Sequence, residues 1–172
     1  WDRLHRLTLR EEGAAALHHG DPQGHPRLRR AIAGYVNLER GARADPDQIL
    51  VLTSSQQALS LCARVLADPG DGVFIEDPAY QGAAKALDAA GLKRLPVAVD
   101  AQGLRASPKD GRAVFVTPSH QFPTGRTLSL DRRLALIQWA AEHDAWILED
   151  DYDSEFHYAG RPTACVQGLD PH

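Results

Sequence analysis

Ala145-Trp146-Ile147-Leu148-Glu149-Asp150-Asp151-Tyr152-Asp153-Ser154-Glu155-Phe156 is the stretch that decides how this chain is read. Four apolar residues run straight into carboxylates, the pattern of a buried strand that ends in polar groups. Ligands of open α/β sheets sit at the carboxyl ends of the strands, so a carboxylate at 150 and a phenol at 152 suggest a site for a polar cofactor. Taken alone, such a run reads as a solvated acidic loop. The segments upstream shift the balance.

Those segments alternate. Residues 49–53 read as a strand, 56–67 as a helix, 72–76 as a strand and 81–90 as a helix stopped by Gly91. Residues 95–99 and 113–117 follow as strands, 129–143 as a helix and 145–149 as the last strand. Two helices come first: one over residues 3–17, ending at the breaker run His18 to Gly24, and one from Pro26 that puts Leu28, Ile32, Tyr35 and Val36 on one face and stops at Gly41. Strands alternating with helices imply an α/β fold with a mainly parallel sheet and helices on both faces. Residues 102–112 read as a surface loop between strands, and residues 1–172 as one domain.

Composition narrows the function. The chain has 172 residues, 43% of them hydrophobic and 24% charged, enough for one sizeable core. No run approaches the ~20 apolar residues of a membrane helix, and the start has no apolar secretion segment, so a cytoplasmic location away from membranes is expected. Cys62 and Cys165 form neither a disulfide framework nor a metal spacing and read as reduced thiols. A net charge of -4 argues against a nucleic-acid surface within these residues. The absence of methionine suggests an internal piece of a longer protein, and any DNA contact would be made elsewhere in it.

Four loops after the expected strands carry unusual chemistry. Ser54-Ser55-Gln56-Gln57 opens a helix, where hydroxyls and free N–H groups can cradle a phosphate, although serine there is more often a plain N-cap. Asp77-Pro78-Ala79-Tyr80 sets an aromatic ring at the head of the next helix, able to stack on a planar heteroaromatic ligand or simply to pack at the surface. Pro118 to Gly125 is a stiff turn with two prolines; nothing near His120 in the sequence supplies a triad or a metal shell. The fourth loop is the acidic run. Its Asp151, Asp153 and Glu155 alternate like calcium-loop ligands, but Phe156 stands where that loop needs glycine. Asp151 and Asp153 as a magnesium pair make a somewhat better rival.

In this order, the segments at 20–32, 54–59, 76–80, 117–125 and 149–156 resemble the fold-type I pyridoxal-phosphate aminotransferases. Within that group the chain is most similar to the MocR (GabR-like) regulators of the GntR superfamily, in which an aminotransferase-like domain follows a winged helix-turn-helix domain. The most specific segments are Phe122-Pro123-Thr124-Gly125, where ordinary aminotransferases have N-P-T-G, and Asp150-Asp151-Tyr152, where they have D-x-x-Y. The resemblance implies an incomplete aspartate aminotransferase-like large domain that binds pyridoxal 5'-phosphate. Ser55 and Gln56 would hold the phosphate, Tyr80 would stack on the pyridine ring, Asp150 would pair with the ring nitrogen and Tyr152 with the 3'-oxygen. A carboxylate against the pyridinium keeps the ring protonated and makes it an electron sink. Equivalents of the Asp77-Pro78 and Phe122-Pro123 bonds are commonly cis in this fold.

The same resemblance implies an amino-acid or amine effector, a homodimer in the full-length protein, and DNA contact only through a domain outside this chain. A free-standing class I/II aminotransferase acting on amino acids is the alternative. Three positions depart from the family: His19 where a tyrosine is frequent, Ser54 in place of glycine, and Phe122 in place of asparagine. The family's lysine lies beyond the acidic run, whereas the only lysines here are Lys85, Lys93 and Lys109. No catalytic residue and no metal ligand is assigned, and the chain alone is expected not to transaminate.

Overall fold

The computed structural model describes residues 1–105, 110–156 and 164–170. Its centre is a five-stranded sheet in the order β3-β2-β1-β4-β5. The strands are β1 (Gly72–Asp77), β2 (Lys93–Asp100), β3 (Gly103–Leu104), β4 (Ala113–Val116) and β5 (Trp146–Glu149). β1 pairs in parallel with β2 and β4, and β4 in parallel with β5; only the short β3 runs antiparallel, against the end of β2. The helices are α1 (Asp2–Glu12), α2 (Pro26–Arg40), α3 (Ser55–Val65), α4 (Gln81–Ala89), α5 (Leu130–His143) and the single turn α6 (Val166–Leu169).

Alternation along the strands builds two cores. Val73 and Ile75 of β1, with Ala113 and Phe115 of β4, face Ala63 of α3 and Ala83 and Leu87 of α4. Phe74, Val114 and Val116 point the other way onto Leu136 and Trp139 of α5, where the Phe74 and Trp139 rings meet edge to face at 5.9 Å. Both faces are covered, which is why β4 is buried along its whole length rather than at every second residue. The α4 crossover carries the chain from β1 to β2 on one side, and the α5 crossover carries it from β4 to β5 on the other. The order therefore reverses between β1 and β4, and the crevice outside their carboxyl ends is the natural ligand position.

α2 begins as its sequence predicts: Pro26 fills the first turn, the His25 ring accepts from the Arg27 N–H at 3.2 Å, and Gly41 ends it in the left-handed region at φ 63°. The first helix is shorter than residues 3–17, closing at Glu12 into a 3-10 turn over Gly13–Leu17.

Two expectations are corrected. Residues 49–53 form no strand, because their N–H groups are taken outside the sheet: the Val51 N–H donates to the Gln23 carbonyl at 2.8 Å and the Thr53 N–H to Gln57 Oε1 at 2.8 Å. Gly24, at φ 106°, lets the Val51 side chain come against its α-carbon. Residues 102–112 are not wholly loop, since Gly103–Leu104 pairs with β2 and Arg132 of α5 donates to the Gly103 and Leu104 carbonyls at 2.7 and 3.0 Å. Among the described residues no helix is long and apolar enough to cross a membrane.

Candidate functional site

Three loops and one helix start meet at the β1/β4 crevice. The N-terminus of α3 is shaped by a local exchange: Ser54 Oγ accepts from the Gln57 N–H at 3.2 Å, while Gln57 Oε1 accepts from the Thr53 N–H and hydroxyl, each at 2.8 Å. Ser54 is thus the plain N-cap, and its neighbour Ser55 is left to line the crevice. The N–H groups of Ser55 and Gln56 belong to the first turn, which has no intrahelical acceptors. They lie where an anion is favoured by both hydrogen bonding and the helix dipole.

The Asp77-Pro78 and Phe122-Pro123 peptide bonds are both cis, as expected. Tyr80 and Phe122, carried by these two turns, meet edge to face at 5.8 Å. Phe122 in turn meets Tyr152 edge to face at 6.4 Å, and His120 stacks on the other side of Tyr152 at 5.9 Å. Gly82 has no side chain where the Tyr80 ring lies, and a β-carbon there would collide with that ring.

The result is a cleft of about 240 Å³ lined by Ser55, Tyr80, Thr117, Phe122, Asp150 and Tyr152. Four of the five residues singled out from sequence converge on it, across the carboxyl edge of the sheet. Gln56 does not line it with its side chain, which donates from Nε2 to the Gly82 carbonyl at 3.0 Å and ties α3 to α4. Only its backbone N–H remains for a ligand.

Asp150 extends the β5 ladder by one bond, its N–H donating to the Val116 carbonyl at 2.9 Å. Its carboxyl group is half-buried. Burial first and the charge of Asp151 second push its pKa up. Among the described residues its carboxyl oxygens have no hydrogen-bond or ion-pair partner, so a half-buried carboxyl group lines the cleft without compensation. The Tyr152 phenol is also raised, by burial first and then by Asp153, Asp150 and Glu76.

Sequence reasoning missed what holds these groups. Glu76 is buried within β1, and its Oε2 accepts from the Thr117 N–H at 3.1 Å, the Thr117 hydroxyl at 2.7 Å and Gln121 Nε2 at 3.3 Å. A carboxylate inside an apolar strand was the available signal. Arg40, at the end of α2, is buried and ion-paired with Asp151 at 2.6 Å. Asp153 pairs with His120 Nδ1 at 2.7 Å. The two carboxylates of the magnesium rival therefore already have protein partners, Arg40 and the His120 ring, and no group of three metal-ligating side chains occurs among the described residues.

Other features lie apart from the cleft. A larger cavity of about 440 Å³ opens beside β5, α5 and α6, lined by the carboxylates Asp144, Glu149 and Asp170 among others, and Glu149 accepts from the Val166 N–H at 2.9 and 3.0 Å. Its walls are otherwise largely apolar. Lys85 on α4 and Lys93 at the start of β2 do not line the cleft. Lys109 lies outside the described residues.

Comparison with known proteins bears on the fold and the family. The family model for aminotransferase class I and II matches residues 5–171. The chain is similar to the probable rhizopine catabolism regulatory protein MocR of Rhizobium meliloti, with 46% identity over 86% of this chain and 30% of that protein. It is also similar to the HTH-type pyridoxine biosynthesis transcriptional regulator PdxR of Corynebacterium glutamicum, with 38% identity over 99% of this chain and 38% of that protein. The chain thus spans well under half the length of these curated relatives. A crystal structure of Pyrococcus horikoshii kynurenine aminotransferase in complex with PMP superposes with a TM-score of 0.87 and 29% identity, over 98% of this chain and 45% of that one. The parallel sheet, the crevice at its reversal point and nearly the full length of the sequence agree: this chain belongs to the aminotransferase class I and II family.

Proposed function

We propose that this chain is the pyridoxal-phosphate-binding, effector-sensing part of a MocR-type transcriptional regulator. Residues 1–172 would form part of its aminotransferase-like large domain, with the DNA-binding domain outside this chain. The observation that carries the reading is Asp150: a half-buried carboxylate with no side-chain partner among the described residues, lining a cleft walled by aromatic rings. Such a group fits a planar cationic ring, and the α3 N-terminus across the cleft fits an anionic phosphate.

In this reading the Ser55 hydroxyl and the N–H groups of Ser55 and Gln56 hold the phosphate. Tyr80 stacks on the ring, Asp150 keeps the ring nitrogen protonated, and Tyr152 donates to the 3'-oxygen. Bound in this way, pyridoxal phosphate would supply an amine-reactive aldehyde conjugated to an electron-withdrawing ring, which makes an amino acid or amine the effector class. Phe122 offers only ring edge and face where the family has an amide, leaving Tyr152 as the hydroxyl on that wall. A cytoplasmic homodimer is the expected form of the intact protein.

The similarity to a kynurenine aminotransferase favours a second reading, part of a free-standing enzyme. Two measurements on the full-length protein separate them. A regulator retains pyridoxal phosphate stoichiometrically and shifts DNA from its own promoter region, with the shift altered by the cofactor and an amine. A protein that turns over amino donors and leaves DNA unshifted is the enzyme.

A further inference from the structure

Arg40 closes α2, more than a hundred residues from the acidic run, and is only 5% exposed. Its Nε donates to Asp151 Oδ2 at 2.6 Å; one terminal nitrogen donates to Asp151 Oδ1 at 3.1 Å and to Ser119 Oγ at 2.8 Å. Asp151 stands between the cleft residues Asp150 and Tyr152, and Ser119 stands in the turn that carries Phe122. One guanidinium therefore grips two of the three loops that wall the cleft, and the two-point contact with a carboxylate fixes orientation as well as distance.

We infer that Arg40 is a positioning residue for the cofactor cleft: by holding Asp151 in a buried ion pair it leaves Asp150 as the carboxylate that faces the bound ring. This rests on the cofactor reading above. The surrounding charges are otherwise occupied. Asp153 is held by His120. Glu76 of β1 is held by Thr117 and Gln121, and Glu149 of β5 by the N–H groups of Val166 and Gln167. Arg133 of α5 spends its donors on the carbonyls of Leu128, Ala164 and Pro118. Ser154 adds a hydroxyl bond to Asp151 at 2.9 Å without adding charge. Among the described residues Arg40 is the cation paired with Asp151. Losing it would place a second uncompensated negative charge beside Asp150.

The test is the pH midpoint of the visible absorption of pyridoxal phosphate bound to the full-length protein. A purely structural tie predicts loss of stability with no ordered change in that midpoint. An electrostatic positioning role predicts shifts of opposite sign: upward by on the order of half a pH unit in Arg40→Gln, where Asp151 is left as a free anion, and downward by a similar amount in Asp151→Asn, where Arg40 is left as a free cation. The double variant returns close to the wild-type midpoint. Should Arg40→Gln fail to fold, the downward shift of Asp151→Asn still decides the matter. Unchanged midpoints, shifts of one sign or shifts that do not cancel would overturn the inference while leaving the cofactor reading intact. A wild-type protein with no bound-cofactor absorption would overturn both.

Discussion

The Thr117 hydroxyl donates a 2.7 Å hydrogen bond to Oε2 of Glu76, joining the carboxyl ends of β4 and β1 at the floor of the crevice. Both residues are almost completely buried. The bond sits where the strand order reverses, so it sets how far apart the two cis-proline turns begin.

Replacing Glu76 by Ala is expected to destabilise the protein by about 2 kcal/mol, because the Thr117 N–H and hydroxyl lose a buried acceptor. Gln121 Nε2 retains the carbonyls of Pro78 and Phe122, which limits the damage. Burial, the leading cause, lifts the Glu76 pKa above the ordinary glutamate range, against the hydrogen bonds that pull it down. The folded protein therefore keeps that proton to higher pH than the unfolded chain. This contribution to stability is fully present below the unfolded pKa and declines as pH rises toward the folded value. Denaturant unfolding across that window should show a shallower pH dependence in Glu76→Gln than in the wild type.

Gly82→Ala should weaken pyridoxal phosphate binding about tenfold by displacing the Tyr80 ring, the size of one lost aromatic stack. Alanine is the better helix former, so helix α4 should be no less stable. Cofactor titration of the variant beside its thermal unfolding curve separates the two effects; unchanged affinity would remove Tyr80 from the site.

Magnesium and calcium should leave the melting temperature and cofactor affinity unchanged, because Asp151 and Asp153 are paired with Arg40 and His120. Calorimetry with each ion provides the check. A saturable heat abolished in Asp151→Asn would restore the metal reading.

The fold was legible wherever one signal decided it. β1, β4 and β5 read correctly because three to five apolar or β-branched residues follow one another in each, and α2 because Pro26 and Gly41 mark its ends. Residues 49–53 misled for a physical reason: Ile49, Leu50 and Val51 have strand composition, but pairing depends on which acceptors lie opposite, and here these are the Gln23 carbonyl and the Gln57 side chain. β3 is too short at two residues to produce a period, and its support comes from Arg132 on a distant helix. In the site, Ser55 and Tyr80 were visible because each stands at the start of a helix, and Asp150 and Tyr152 because they follow the end of a strand. Arg40 was invisible because its partner is 111 residues away and no local pattern announces a long-range ion pair. The side chain of Gln56 turned to α4 for a similar reason, its acceptor being a carbonyl 26 residues on.

The account stands most directly on Asp150 meeting a ring nitrogen. Nitrogen-15 NMR of the full-length protein loaded with pyridoxal phosphate labelled at the ring nitrogen reads that contact without reference to any reaction. A protonated nitrogen in the wild type and a deprotonated one in Asp150→Ala, with weaker retention of the cofactor, is the result predicted. A nitrogen signal that is the same in both proteins, with equal cofactor retention, would contradict it.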